Sequence, residues 1–146
     1  MKIVIDTNIL IDSTLDELSY SKKIIDEVIH GNIEAYGTNP MIRENQLLLK
    51  KAIPNPMQKE FLEDYFAQLK EVPVKFKHRV IELDPEDDKF INAALSAEAE
   101  YIISNDDHLL QEDGYEGLKI VQPKTFWFEY KGEDDTSKQM LDLMGL

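Results

Sequence analysis

Met1-Lys2-Ile3-Val4-Ile5-Asp6-Thr7-Asn8 is an apolar, β-branched run that stops abruptly on an acid. A second stretch, Tyr101-Ile102-Ile103-Ser104-Asn105-Asp106-Asp107, repeats the pattern. Continuous apolar runs of this length read as central strands buried on both faces, as in parallel sheets. Each delivers a carboxylate at its C-terminal end. In open parallel α/β sheets that edge is where ligands and chemistry sit.

Working outward from Asp6, Ile9-Leu10-Ile11 follows the acidic turn. Ser13 or Thr14 is positioned to cap a helix reaching about His30, with Ile24, Ile25, Val28 and Ile29 as its apolar stripe. Gly31-Asn32 stops it. Ile33–Gly37 reads as a short strand, and Thr38-Asn39-Pro40 opens a helix to about Ile53. Pro54-Asn55-Pro56 ends that helix, and Met57–Lys70 forms another, with Phe61, Leu62, Tyr65, Phe66 and Leu69 at helical spacing. Val72-Pro73-Val74 is extended, because Pro73 lacks the donor a central strand needs. Val80–Leu83 reads as a short edge element, and Asp84-Pro85 opens a helix to about Ala99. A strand over Tyr101–Ser104, a short helix over His108–Gln111, a strand over Lys119–Val121 and a helix over Pro123–Tyr130 complete the alternation. Strands separated by helices indicate an α/β fold with a mostly parallel central sheet covered on both faces. Residues 1–130 form one domain; residues 131–146 are an acidic linker and an apolar tail containing Met140, Leu141, Leu143 and Met144.

The chain has 146 residues, 42% of them hydrophobic and 31% charged, and a net charge of −13, the balance of an ordinary single globular domain. The absence of cysteine excludes disulfides, thiolate metal sites and cysteine nucleophiles. No apolar stretch approaches the roughly 18 residues a membrane span needs. Lys2 and the short run before Asp6 do not form a signal peptide, so a cytoplasmic location is expected. A charge of −13 argues against nucleic acid when taken alone. Acids neutralised by metal ions, and local cationic patches, weaken that argument.

Two further acids approach the Asp6–Asp106 edge. Glu44 lies in the first turns of the helix after the second strand. Asp88 heads the helix that leads to the Tyr101 strand, and it joins the same crevice if Val80–Leu83 runs parallel to the sheet. Carboxylates brought together raise one another's pKa strongly, so such a group calls for a cation. Mg²⁺ or Mn²⁺, one ion or two, are hard ions that suit oxygen ligands and phosphoryl transfer.

Four segments occur in order: Asp6-Thr7-Asn8-Ile9-Leu10; Glu44 in a helix opened by Asn39-Pro40; Asp84-Pro85-Glu86-Asp87-Asp88-Lys89-Phe90; and Ser104-Asn105-Asp106-Asp107-His108-Leu109-Leu110. Taken together, with Val121-Gln122-Pro123-Lys124-Thr125-Phe126 as the finish, they resemble a PIN domain over about Met1–Phe128. The resemblance is closest to the VapC-like group assigned as toxins of toxin–antitoxin pairs. It implies a three-layer α/β/α sandwich and metal-dependent hydrolysis of RNA. By position it makes Asp6, Glu44, Asp88 and Asp106 the metal-holding acids, with Asn8, Ser104 and Thr7 in support. Asp84, Glu86 and Asp87 stand close by as alternatives to Asp88, and Asp87 and Asp107 are expected to face solvent. The resemblance also implies a homodimer and an antitoxin protein whose segment occupies the acidic groove.

Each residue has a plainer reading. Glu44 and Asp88 suit a helix N-terminus whatever their function. His108 invites a general-base role that metal-bound water does not need. Phe126, Trp127 and Phe128 stack on bases or, more simply, pack the last helix. Lys75-Phe76-Lys77-His78-Arg79 is the strongest basic run and Lys50-Lys51 a second; either steers RNA or is merely solvated. Rival functions are a flap-type DNA nuclease of the same fold, a non-catalytic RNA- or protein-binding scaffold, and a phosphoaspartate receiver or haloacid-type phosphatase. Asn8 stands where that phosphatase needs a second acid.

Overall fold

In the computed structural model, which describes residues 1–80, 85–132 and 143–145, five strands form one parallel sheet. They are β1 (Lys2–Ile5), β2 (Glu34–Thr38), β3 (Lys70–Val72), β4 (Tyr101–Ile103) and β5 (Lys119–Val121), in the spatial order β3-β2-β1-β4-β5. The two strands that end on Asp6 and Ser104 are adjacent, with Ile5 beside Ile103. Strand β1 therefore lies in the centre, which explains why it reads as an unbroken apolar run.

The pleat sorts side chains into two cores. Ile3, Ile5, Ala35, Tyr101 and Ile103 point to one face. Val4, Ile102 and Ile120 point to the other. The first face is covered by α1 (Thr7–Leu15), α2 (Tyr20–Ile29), α4 (Pro56–Gln68) and α7 (Pro123–Lys131). The second is covered by α5 (Pro85–Ala97) and the short α6 (Asp107–Leu110). Helix α3 (Asn39–Ala52) belongs to both: Met41 packs in the second core, and Leu49 with the following Ile53 in the first. Its first turn comes back close to β2, where a Cβ on Gly37 would meet Met41 Cε at 2.7 Å. The expected three-layer sandwich is the fold observed.

The expected single helix from Ser13 to His30 is two. Asp6, not Ser13 or Thr14, caps α1. The hydroxyls of Ser13 and Thr14 instead donate back to the carbonyls of Leu10 and Ile11 at 2.6 and 2.7 Å, a bond open to any helical Ser or Thr. Asp16 then accepts from the Leu18 N–H at 2.9 Å, and Ser19 caps α2 by accepting from the Lys22 N–H at 3.1 Å. Gly31, at φ 82°, turns the chain out of α2 into β2. Strand β3 lies two residues before the extended segment read from Val72-Pro73-Val74, and Pro73 ends it. Residues 81–83 of the expected Val80–Leu83 edge element lie outside the described residues, as do residues 133–142 and 146 of the linker and tail. Leu143 and Met144 are exposed. Phe126 and Phe128 are buried, Phe126 edge-on to Tyr101 at 5.0 Å, so the last helix packs rather than presents them. Among the described residues no helix is long and apolar enough to cross a membrane.

Tyr65 is fully buried in the first core, and its hydroxyl has no hydrogen-bond partner among the described residues. Burial pushes its pKa up, which leaves a neutral but unsatisfied O–H. An unsatisfied buried polar group costs about 1–3 kcal/mol. Tyr65→Phe is therefore expected to raise the thermal unfolding midpoint by a few degrees, about 1 kcal/mol. Tyr65→Ala, which leaves a cavity, is expected to lower stability by about 3–5 kcal/mol. Calorimetry of both variants checks the pair, and a destabilised Tyr65→Phe would contradict the orphaned hydroxyl.

Candidate active site

Asp6 is the first residue beyond β1, and its N–H donates to the Ile103 carbonyl at 3.0 Å, continuing the sheet ladder. Its side chain is almost fully buried. Oδ1 accepts from the Asn8 N–H at 3.3 Å, capping α1, and Oδ2 accepts from the Ser104 hydroxyl at 2.7 Å. The same Ser104 oxygen accepts from the Asp106 N–H at 2.9 Å. One buried hydroxyl thus joins the two strand-end turns. Asp106 caps α6 as Asp6 caps α1, accepting from the His108 N–H at 2.8 Å. Asn105 reaches across to Asp12 of α1 at 3.3 Å. The side chain of Asn8 is exposed, and its contribution is its backbone N–H.

The helix α5 divides its two consecutive acids. Ligand atoms of Asp87, Asp106 and His108 all lie within 4.8 Å of one another. Asp88 is buried and has other contacts: its Oδ1 accepts from the Val80 N–H at 3.2 Å, and its Oδ2, which has no hydrogen-bond partner among the described residues, lies 3.6 Å from Arg79 Nε. The acid brought to Asp106 is thus Asp87, which the sequence reading placed in solvent; neighbours on a helix point about 100° apart. Asp107 is exposed, as expected. His108, set aside in the sequence, stands 3.5 Å from Asp106 Oδ1. Glu44 is joined to the same end of α5 by a 2.6 Å ion pair with Lys89.

Thr7, which follows Asp6, has a buried partner. Its hydroxyl donates to Asn45 Oδ1, tying the start of α1 to α3 one residue beyond Glu44. Asn45 is almost fully buried, and its Nδ2 has no hydrogen-bond partner among the described residues. Its signal was present in the sequence: Met41, Asn45 and Leu49 occupy one helical stripe, so an amide stands at a core position.

The residues after β3 return the chain to this edge without a strand. The Lys75 N–H donates to Ser96 Oγ at 2.9 Å, and the His78 N–H to Asn92 Oδ1 at 2.8 Å. Asn92 Nδ2 donates to the His78 carbonyl at 3.1 Å, and Val80 meets Asp88. Asp88, Asn92 and Ser96 lie four residues apart on one face of α5. They hold residues 75–80 as a strap running antiparallel to the helix, so α5 begins at the C-terminal edge of the sheet.

Burial raises the pKa of Asp6; the Ser104 and Asn8 hydrogen bonds oppose this, and the nearby charge of Asp106 adds to it. Two carboxylates and an imidazole around one point, with a buried acid beside them, are a donor set that fits a divalent cation.

Comparison with known proteins gives two findings. The family model described as PIN domain matches residues 2–108. The crystal structure of VapBC2 from Rickettsia felis, bound to a DNA fragment from their promoter, contains a chain that superposes with a TM-score of 0.57 at 12% identity, covering 82% of this chain and 97% of that one. No curated protein matches.

The raised pKa has a stability consequence with a defined sign. A carboxyl favoured in its neutral form stabilises the fold at low pH, and that contribution is lost as pH rises through the folded-state value. At pH 7 without metal, Asp6→Asn is expected to be more stable than wild type. The gap should close as pH falls to the carboxylate range near about 4. Thermal unfolding in chelator across that range tests this; a gap that widens towards acid would contradict it.

Proposed function

Because the chain belongs to the PIN-domain family, we propose that it is a metal-dependent endoribonuclease, cutting RNA phosphodiester bonds by water. The observation that carries this reading is the meeting of Asp87, Asp106 and His108 within 4.8 Å, next to buried Asp6. In this reading Asp6, Asp87 and Asp106 hold one or two Mg²⁺ or Mn²⁺ ions, with Glu44 at the rim. Asp88, the acid first expected there, positions the strap instead. A bound ion would supply an acidified water and offset charge on the phosphate oxygens. The protein's share is positional. Ser104 keeps Asp6 and Asp106 in register, Thr7 and Asn45 fix α1 against α3, and the Lys89–Glu44 pair sets α3 against α5. His108 orients Asp106 through its backbone N–H and stands ready as a further ligand.

We assign the protein the role of toxin in a toxin–antitoxin pair, acting in the cytoplasm as a homodimer and restrained by an antitoxin. The group to which its motifs are closest supports this, as does its likeness to VapBC2. A scaffold that bound RNA or protein without cutting would have no need of a buried acid beside a second strand-end acid, a costly arrangement without a cation.

Incubation of varied RNAs with Mn²⁺ tests the activity. Asp6→Asn and Asp87→Asn are each expected to lower cleavage by about a hundredfold or more while the fold is kept. Mn²⁺ should raise the melting temperature of wild type and of Asp88→Asn but not of Asp87→Asn. Wild-type turnover in Asp6→Asn would end the nuclease assignment. Loss of the metal-induced shift in Asp88→Asn, with retention in Asp87→Asn, would return Asp88 to the cage.

A further inference from the structure

The strap over residues 75–80 does more than return the chain. Lys75-Phe76-Lys77-His78-Arg79 holds three cations in five residues without an acid, in a chain with 29 acids and a net charge of −13. The Asp88–Asn92–Ser96 ladder consumes backbone donors at Lys75, His78 and Val80 and leaves the side chains of Lys75, Lys77 and Arg79 exposed. The rings are ordered too: Phe76 meets His78 edge-on at 5.6 Å, and His78 Nδ1 lies 2.8 Å from the Tyr115 hydroxyl. Between the strap and the β2–α3 turn is a cleft of about 220 Å³, lined by Thr38, Phe76, Lys77, Arg79 and Lys89 among others. Asp88 and Lys89 line it, and Asp87, which precedes them in α5, belongs to the acidic cluster.

We infer that this pinned cationic strap is the RNA-binding clamp of the protein: Lys77 and Arg79 hold backbone phosphates of a single strand flanking the bond to be cut, and Phe76 offers a face to a base. The inference rests on the proposed nuclease reading for the position of that bond, and on charge complementarity for the occupant. Phosphates flanking the acidic cluster need cations close to it, and the strap supplies a dense group of them beside an exposed ring. Alternating cation and aromatic contacts are what sequence-tolerant single-strand binding uses. The ladder orders the strap before RNA arrives, so less freedom is lost on binding. Asp88 and Asn92 are positioning residues for this surface.

The test measures binding apart from cleavage. In an Asp6→Asn background, a fluorescein-labelled mixed-sequence single-stranded RNA of about a dozen nucleotides is titrated by anisotropy over a range of salt. Lys77→Glu with Arg79→Glu is expected to weaken binding about tenfold or more and to flatten the log–log salt slope by about 1.4, or about 0.7 for each lost phosphate contact. Lys77→Gln with Arg79→Gln shifts both readouts in the same direction with less disturbance of the surface. Lys50→Glu with Lys59→Glu, two lysines that line a separate cavity between α3 and α4, should bind as the parent does. Asn92→Ala weakens binding, and that loss disappears once Lys77 and Arg79 are reversed, as coupling between positioner and clamp requires. Unchanged affinity and salt slope in both strap pairs, with wild type still cutting RNA, would remove the clamp and leave the nuclease standing. Strap-dependent RNA binding without metal-dependent cleavage would do the reverse. Competition by polyglutamate as strong as by RNA would assign the surface to an acidic protein partner and overturn the inference.

Discussion

The Ser104 hydroxyl makes two bonds on which the site depends. It donates to Asp6 Oδ2 at 2.7 Å and accepts from the Asp106 N–H at 2.9 Å, while almost no solvent reaches it. Because β1 and β4 are adjacent and parallel, their C-terminal turns leave the sheet side by side. A small residue able both to donate and to accept at that point sets the distance between two like charges. A larger residue would separate the turns, and one without a hydroxyl would leave a buried carboxylate oxygen short of a partner, at a cost of about 1–3 kcal/mol, and a half-buried N–H without its acceptor.

The burial of a carboxyl sets the energetic character of the rest. Burial and the charge of Asp106 hold the Asp6 carboxyl above its ordinary range. The fold tolerates this because the surrounding structure over-determines the geometry: the β1–β4 ladder, two helix caps, and the Thr7–Asn45 contact all fix the same corner. A buried carboxyl beside a second acid is favoured in its charged form by a cation. The net charge of −13 therefore reads less as a barrier to nucleic acid than as a background against which the cationic strap stands out.

Helix α5 serves both parts. Its Asp87 side faces the acidic cluster, and its Asp88–Asn92–Ser96 side carries the strap. Two consecutive aspartates thus do different work because a helix turns about 100° per residue. The apolar remainder of the helix, including Ile91 and Ala94, fills the second core and fixes the phase.

The two central strands and their terminal acids were legible in the sequence, because a strand buried on both faces must be continuously apolar and an acid after it marks the end. The positions of Asp6 and Asp106 just beyond β1 and β4 were read that way, and the layered fold and the limits of most helices followed from the alternation of strands and helices. The break between α1 and α2 was not, since a Ser or Thr that caps and one that bonds back to its own helix are spelled alike. Asn45 left a trace as an amide on an apolar stripe. The choice between Asp87 and Asp88 left none: it depends on the rotational phase of α5, which is set by core packing. The strap, too, exists only through contacts between residues 8 to 21 positions apart. Local pattern determines what each segment is and where its acids stand; which acids meet is decided when packing sets the phase of one helix against the sheet.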